Sequence, residues 1–324
     1  MIVLHSCLPI LLLVSALGGR SAPPATDTSW LWTVAYHPIQ STTVATGGTD
    51  GILRIYTDDR LSDTLHFGGM ITEVDWHPGG RLLAVAVQGG LPSAIYDTET
   101  GNRSALPRLN AFGVRGIGWS PDGRSLATGD YDGNLTIYDS SGKLQHQQLL
   151  QRKGIIGLDW SPDGRTIAAV GEHLSLFDVE TGTHRTIADR EEPVLMLSVA
   201  FHPSGQFLVT GDYGDYDLDY PPLLQFWNPE GERIRRVTKA AGEYRSLEWS
   251  QDGTTLAAVS DAVRLYDRDG QQIAERAVPD HRLLWGVSWS PDDRQLLVTD
   301  DRGKVYRLPR NLSTIQEYPT VPCR

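Results

Sequence analysis

The chain has 324 residues and a formal charge of -11 with its histidines neutral; that charge repels a phosphate backbone at long range and excludes nucleic acid as a default partner. Thirty-three glycines and 19 prolines beside 9 tryptophans and 12 tyrosines describe turns and aromatic strands, which excludes a helical bundle and points to an all-β chain. The two cysteines, Cys7 and Cys323, stand at opposite ends and make no disulfide framework.

In chain order, the first feature is Met1 to Gly19, which carries no Lys, Arg, Asp or Glu and contains the apolar stretch Ile10 to Leu17. Residues 1–22 therefore read as a secretory signal peptide cut between Ala16 and Ala22, with an uncleaved N-terminal membrane anchor as the competing reading. Cys7 precedes the apolar stretch, whereas a bacterial lipid-anchor cysteine follows it, so lipidation is not expected. The expected location is secreted or periplasmic.

A unit then repeats across residues 29–320. Its copies are VAYHPIQSTTVATGGTDGILRIYT, VDWHPGGRLLAVAVQGGLPSAIYD, IGWSPDGRSLATGDYDGNLTIYD, LDWSPDGRTIAAVGEHLSLFD, VAFHPSGQFLVTGDYGDYDLDYPPLLQFWN, LEWSQDGTTLAAVSDAVRLYD and VSWSPDDRQLLVTDDRGKVYR. An aromatic marks each at Tyr36, Trp76, Trp119, Trp160, Phe201, Trp249 and Trp289, at spacings of 40, 43, 41, 41, 48 and 40 residues. Seven copies at this period predict seven blades, starting near residues 30, 71, 114, 155, 195, 243 and 283.

Each copy reads as four short antiparallel strands. The first ends in the marker aromatic, and Ser-Pro-Asp-Gly then closes a type I turn. The second, such as Ser125 to Gly129, is apolar on both faces, as a strand between neighbouring blades must be. The third ends in an aromatic and Asp, and the fourth is variable. Two positions before the marker, Val34, Val74, Ile117, Leu158, Val199, Leu247 and Val287 are all apolar. One position earlier stand Thr33, Glu73, Gly116, Gly157, Ser198, Ser246 and Gly286, mostly small, which lets the next blade approach. The basic run Arg233, Arg235, Arg236 and Lys239 reads as a solvated strand face. After Lys304 to Leu308, residues Leu312 to Thr320 suffice for one more strand, so the C-terminus completes its own blade.

Over residues 30 to 320 the chain resembles the WD-repeat β-propeller family, in a divergent, bacterial-style form. The resemblance implies a single seven-bladed propeller that works as a non-catalytic scaffold for a protein partner or small ligand. It departs from the family pattern where Tyr138-Asp139, Tyr96-Asp97, Phe177-Asp178, Tyr266-Asp267 and Trp227-Asn228 replace the tryptophan-aspartate pair, and the Gly-His pair is absent. The family's buried hydrogen-bond network is expected to survive as Thr46 with Asp50 and Thr128 with Asp132.

In this family the binding face carries the fourth-to-first and second-to-third strand connections. The position just inside it lies four residues before the marker, at Trp32, Thr72, Arg115, Ile156, Leu197, Arg245 and Trp285. Two tryptophans and two arginines in one ring have the composition of a binding hot spot, against the plainer reading that they plug the channel. A cationic or carbohydrate-like ligand would suit the tryptophan faces.

The insertion in the fifth copy offers Asp212, Asp215, Asp217 and Asp219 as oxygen ligands for calcium. Their spacing matches no established calcium loop, and a solvated acidic loop is the plainer reading, so no cofactor is required and calcium is the one to test. His37, His77 and His202 fall on the opposite face in separate blades, too dispersed to share a metal. The competing functional readings are a hydrolase or lactonase-like propeller enzyme with a calcium site, and an intracellular WD-repeat scaffold. Export is argued against the latter by the N-terminal segment alone.

Overall fold

The Ser-x-Asp-Gly segments fold as the tight turns their chemistry demands. The glycine N–H donates to the carbonyl of the serine three residues before it, at 2.8 Å for Gly123 to Ser120 and 2.9 Å for Gly253 to Ser250. Both glycines hold a positive φ, 70° and 66°. The serine hydroxyl donates to the aspartate two residues on, Ser120 to Asp122 at 2.7 Å, and accepts the N–H that starts the second strand, from Ser125 at 3.0 Å. In the seventh unit Asp293 replaces the glycine and takes φ 57°. Its carboxylate offsets that strain by accepting the N–H groups of Gln251 and Asp252 on the preceding blade, at 2.8 and 2.9 Å.

The computed structural model describes residues 29–187, 194–214, 220–237, 240–278 and 283–319; the N-terminal segment 1–22 and three of the four candidate calcium ligands lie outside them. The described residues form seven four-stranded antiparallel sheets, each made of strands consecutive in the chain. The first strands are Leu31–Tyr36, Met70–Trp76, Val114–Trp119, Gly157–Trp160, Met196–Phe201, Ser246–Trp249 and Leu284–Trp289. Each touches the next, and the seventh touches the first, so the ring closes around a channel that the first strands line. The fourth strands are outermost and largely exposed, as in Arg60–His66. Arg233–Val237 is one of these, so the described arginines of the basic run lie on a solvated outer strand. The seventh blade takes its fourth strand from Gln316–Glu317, which pairs with Val305–Pro309.

A single thin sheet cannot bury two apolar faces, and stacking against a neighbour on each side does. All seven marker aromatics are buried, as are all seven residues two positions before them. One cluster shows the logic: Ala45, Leu53 and Ile55 of the first blade pack against Ile71, Val74, Trp76, Leu83 and Val85 of the second. Where the position three before the marker is glycine, the neighbouring backbone uses the space. A Cβ on Gly286 would sit 3.1 Å from the Trp32 carbonyl oxygen and the Thr33 Cα, and one on Gly157 would sit 2.9 Å from the Leu197 carbonyl oxygen.

The histidines that replace the turn serine act as staples between blades. His77 Nε2 lies 3.1 Å from the Gly123 carbonyl oxygen and His202 Nε2 lies 2.8 Å from that of Gly253, in each case on the following blade. The His77 and His202 rings stand edge-on to the next markers, Trp119 and Trp249, with centroids 5.0 and 4.7 Å apart.

The buried polar network differs from the expectation. Thr46 is buried but its hydroxyl has no hydrogen-bond partner among the described residues, and Asp50 instead pairs with Arg54 at 2.7 Å. In the third blade Asp132 is exposed, and it is Asp130 that accepts the N–H groups of Asp132 and Asn134, both at 2.9 Å. The residue at the end of the second strand is the one that can cap the turn from within; two positions later the side chain points to water. The network survives in the fifth blade, where Trp227 Nε1 donates to the Thr210 hydroxyl at 2.9 Å in a buried site. In the seventh blade Tyr306 replaces the tryptophan and donates directly to Asp300 at 3.2 Å.

Candidate functional site

The channel encloses roughly 650 Å³, and all seven residues four positions before the markers line it. They stand at or beside the start of the first strands, at the end where the fourth-to-first connections enter. Four of them meet. Trp32 and Trp285 lie on adjacent blades and stack with centroids 4.8 Å apart and planes 8° from parallel. The Arg115 guanidinium sits 4.8 Å from the Trp32 ring centroid, and that of Arg245 sits 3.9 Å from the Trp285 centroid. The other three are quieter. Thr72 donates to the Val114 carbonyl at 2.9 Å, and Ile156 and Leu197 are buried apolar lining.

Because Thr72 is small, Arg115 reaches across the second blade, donating to the Thr72 carbonyl at 3.2 Å on its way to Trp32. Arg245 has a carboxylate nearby, Glu243, at 3.5 Å. Burial lowers its pKa, Glu243 opposes that shift, and the charge of Arg115 adds to it. The indole faces are thus occupied by each other and by the protein's own guanidinium groups. In this arrangement neither Trp32 nor Trp285 presents an uncovered face.

Deeper in the channel is a feature that the repeat reading missed. The residues one position before the markers are Ala35, Asp75, Gly118, Asp159, Ala200, Glu248 and Ser288, acidic on the second, fourth and sixth blades. The innermost strand of a blade is a sheet edge with unpaired N–H groups, and these side chains cap it on the next blade. Asp75 accepts the Trp119 N–H at 2.7 Å, Asp159 that of Phe201 at 2.6 Å, and Glu248 that of Trp289 at 3.2 Å. Ser288 does the same for Tyr36 at 3.1 Å. Glu73, two positions earlier, accepts the Ile117 N–H at 2.8 Å. The next marker's indole also bonds back across the seam on the first, third and sixth blades: Trp76 to the Ala35 carbonyl at 3.2 Å, Trp160 to that of Gly118 at 2.9 Å and Trp289 to that of Glu248 at 3.1 Å.

Burial pushes the carboxyls of Glu73 and Glu248 up to about 8 and those of Asp75 and Asp159 up to about 7, against the pull of the N–H bonds they accept. Mutual repulsion adds to the rise at Glu73 and Glu248, while Arg115 opposes it at Glu73. Carboxyls raised to this range from several blades at one depth are the pattern expected of a propeller enzyme. Each of these four, however, spends an oxygen on a backbone donor, and among the described residues no three His, Cys, Asp or Glu side chains converge to hold a metal.

Of the four candidate calcium ligands, Asp215, Asp217 and Asp219 lie outside the described residues. Asp212 is buried and accepts the N–H groups of Gly214 at 3.1 Å and Leu223 at 2.8 Å, the same turn-capping role that Asp130 has in the third blade. Among the described residues no helix is long and apolar enough to cross a membrane.

A family model for the WD domain, G-beta repeat, matches residues 107–139 and 185–217. The chain is 31% identical over 116 residues to the WD repeat-containing protein SL1-17 of Schistosoma mansoni, a match covering 35% of this chain and 38% of that protein. It is 28% identical over 135 residues to the anaphase-promoting complex subunit cdh1 of Dictyostelium discoideum, covering 40% of this chain and 16% of that one. The chain therefore spans well under half the length of each of these relatives. Seven four-stranded blades make the chain a seven-bladed β-propeller, and in its two matched repeats and its relatives it is similar to WD-repeat proteins.

Proposed function

We propose that the chain is a non-catalytic interaction module that receives a protein partner on the face where the fourth-to-first strand connections enter the channel. The observation that carries this reading is the Arg115, Trp32, Trp285, Arg245 stack at that mouth, since buried Trp and Arg supply most of the energy where they are enriched at interfaces. The opposite face supports it by contrast: its turns are closed by serine, aspartate and histidine bonds internal to the fold. The channel carboxylates are part of the frame, capping edge N–H groups between blades. The apolar stretch Ile10 to Leu17 supports export to a secreted or periplasmic location, which mass spectrometry of the mature N-terminus would check.

Site-specific photo-crosslinking tests the proposal. A photoreactive residue at the exposed position of Arg108, in the connection entering the third blade, should capture a partner from extracts of the native source. The same group at Asp122, on the opposite face, should not. Crosslinks from Asp122 alone would place the partner on the wrong face and refute the reading.

A further inference from the structure

The mouth holds donors without acceptors. The indole Nε1 atoms of Trp32 and Trp285 and the Nε of Arg245 are closed off from water and have no hydrogen-bond partner among the described residues. Trp285 is 9% exposed. Arg115 makes its one hydrogen bond to a backbone carbonyl and has no carboxylate within ion-pair distance among the described residues. Each buried donor left unpaired is a cost to the free protein. Burial lowers the pKa of Arg245 against the opposing charge of Glu243, and the charge of Arg115 adds to the lowering. The unpaired polar atoms of the stack are thus all N–H donors, and Glu243, 3.5 Å from Arg245, is the one carboxylate within ion-pair distance of its two guanidinium groups among the described residues.

Exposed apolar side chains stand in the connections that lead to the Arg115 end of the channel. Leu109 and Phe112, in the connection that leads into the Arg115 strand, are 39% and 52% exposed, and Leu91, in the second-to-third connection of the preceding blade, is 45% exposed. Leu91 and Leu109 line one shallow pocket together. A cationic, donor-rich centre beside an apolar rim is complementary to an acidic side chain flanked by an apolar one.

We infer that the mouth recognises an anionic side chain, an aspartate or glutamate, in a peptide segment of the partner whose neighbouring apolar residue rests on Leu91, Leu109 and Phe112. The inference rests on the interaction-module reading and specifies its ligand. Binding turns the stacked side chains far enough for the closed donors to reach the carboxylate, so the ligand supplies acceptors the free protein lacks. Guanidinium is suited to this role because its planar fork pairs two N–H groups with two oxygens.

The test is selection of random phage-displayed peptides on the immobilised chain, followed by fluorescence polarisation with the synthetic peptides selected. The peptides should carry Asp or Glu beside an apolar residue. Amidation of that acid, or Arg115→Gln in the protein, should weaken binding about tenfold or more, a change of about 1.4 kcal/mol. Arg115→Lys should recover only part of the loss, and raising the salt should weaken wild-type binding. Unchanged melting of Arg115→Gln separates the effect from misfolding. A phosphoserine in place of the acid is the second arm: tighter binding assigns the anion to phosphate, and equal or weaker binding assigns it to a carboxylate. Peptides that bind in a manner sensitive to Trp285→Ala but without acidic preference would overturn the inference and leave the module reading intact. Peptides indifferent to both Trp285→Ala and Arg115→Gln would overturn both.

Discussion

Replacing Asp75 with asparagine should flatten the dependence of stability on pH. The native carboxyl of Asp75 sits at about 7, against an ordinary 3.8, so between those values the folded chain binds a proton that the unfolded chain has released. A group raised in the fold stabilises below its unfolded pKa and loses that contribution as pH rises through its folded pKa. Stability should therefore fall between about pH 4 and pH 8, with Glu73, Asp159 and Glu248 acting in the same direction. A shift of this size bounds the loss from Asp75 at about 4 kcal/mol. Water in the channel reduces that to about 1–2 kcal/mol, or roughly 2–6 °C in melting temperature for a chain of this size. The amide oxygen of the introduced side chain can still accept the Trp119 N–H, so the substitution removes the charge and keeps the cap. His37 and His202 oppose the trend at lower pH, because burial lowers their pKa and stability is lost as pH falls through the ordinary histidine value. Differential scanning fluorimetry of wild type and Asp75→Asn from pH 5 to pH 9 reads the difference directly. A wild-type melt that rises between pH 7 and pH 9, or a variant whose slope matches wild type, would show that the channel carboxyls do not titrate as argued.

Three further outcomes follow from contacts elsewhere in the ring. Thr210→Val removes the acceptor of Trp227 Nε1 and should destabilise the fold by about 1–2 kcal/mol in urea titration; no change would mean that the fifth-blade network is idle. His202→Ala deletes both the bond to the Gly253 carbonyl and the ring contacts with Phe207 and Trp249, and should cost about 2–3 kcal/mol by the same measurement. Because Asp212 is committed to backbone donors, a calcium chelator should leave the melting temperature unchanged; a melt that rises with added calcium would instead favour the acidic insertion as a metal site.

The architecture was legible because its signals recur. The marker aromatics, the apolar column two positions before them and the turn serines repeat along the chain, and each repetition makes the same local demand on packing or turn geometry. The tryptophan and arginine ring was legible as a composition at one register. Its arrangement was not, since Arg115 meets Trp32 only because Thr72 leaves the gap. The acids one position before the marker were overlooked because an acid alternating with apolar residues reads as a water-facing strand position. What holds Asp75 is the N–H of Trp119 on the next blade, and a backbone donor leaves no trace in a side-chain pattern. The choice of Asp130 over Asp132 was hidden for a related reason: both lie in one turn, and the strand register alone decides which points inward.

The seventh blade supplies its own outer strand, so the ring is shut without exchanging a segment between its ends. The junction between the last and first blades is held by side chains: Tyr56 edge-on to Tyr318 at 5.7 Å, Arg307 to Asp59 at 3.1 Å, and Ser288 beneath the Tyr36 N–H. Each sheet is made of consecutive strands, so the chain's point of entry into the circle carries no topological privilege. Splicing residues 319 and 29 together and reopening the polypeptide between any other pair of blades should regenerate the same disc. Traction applied to the two ends would peel blades off one at a time from this clasp rather than shear the whole ring at once.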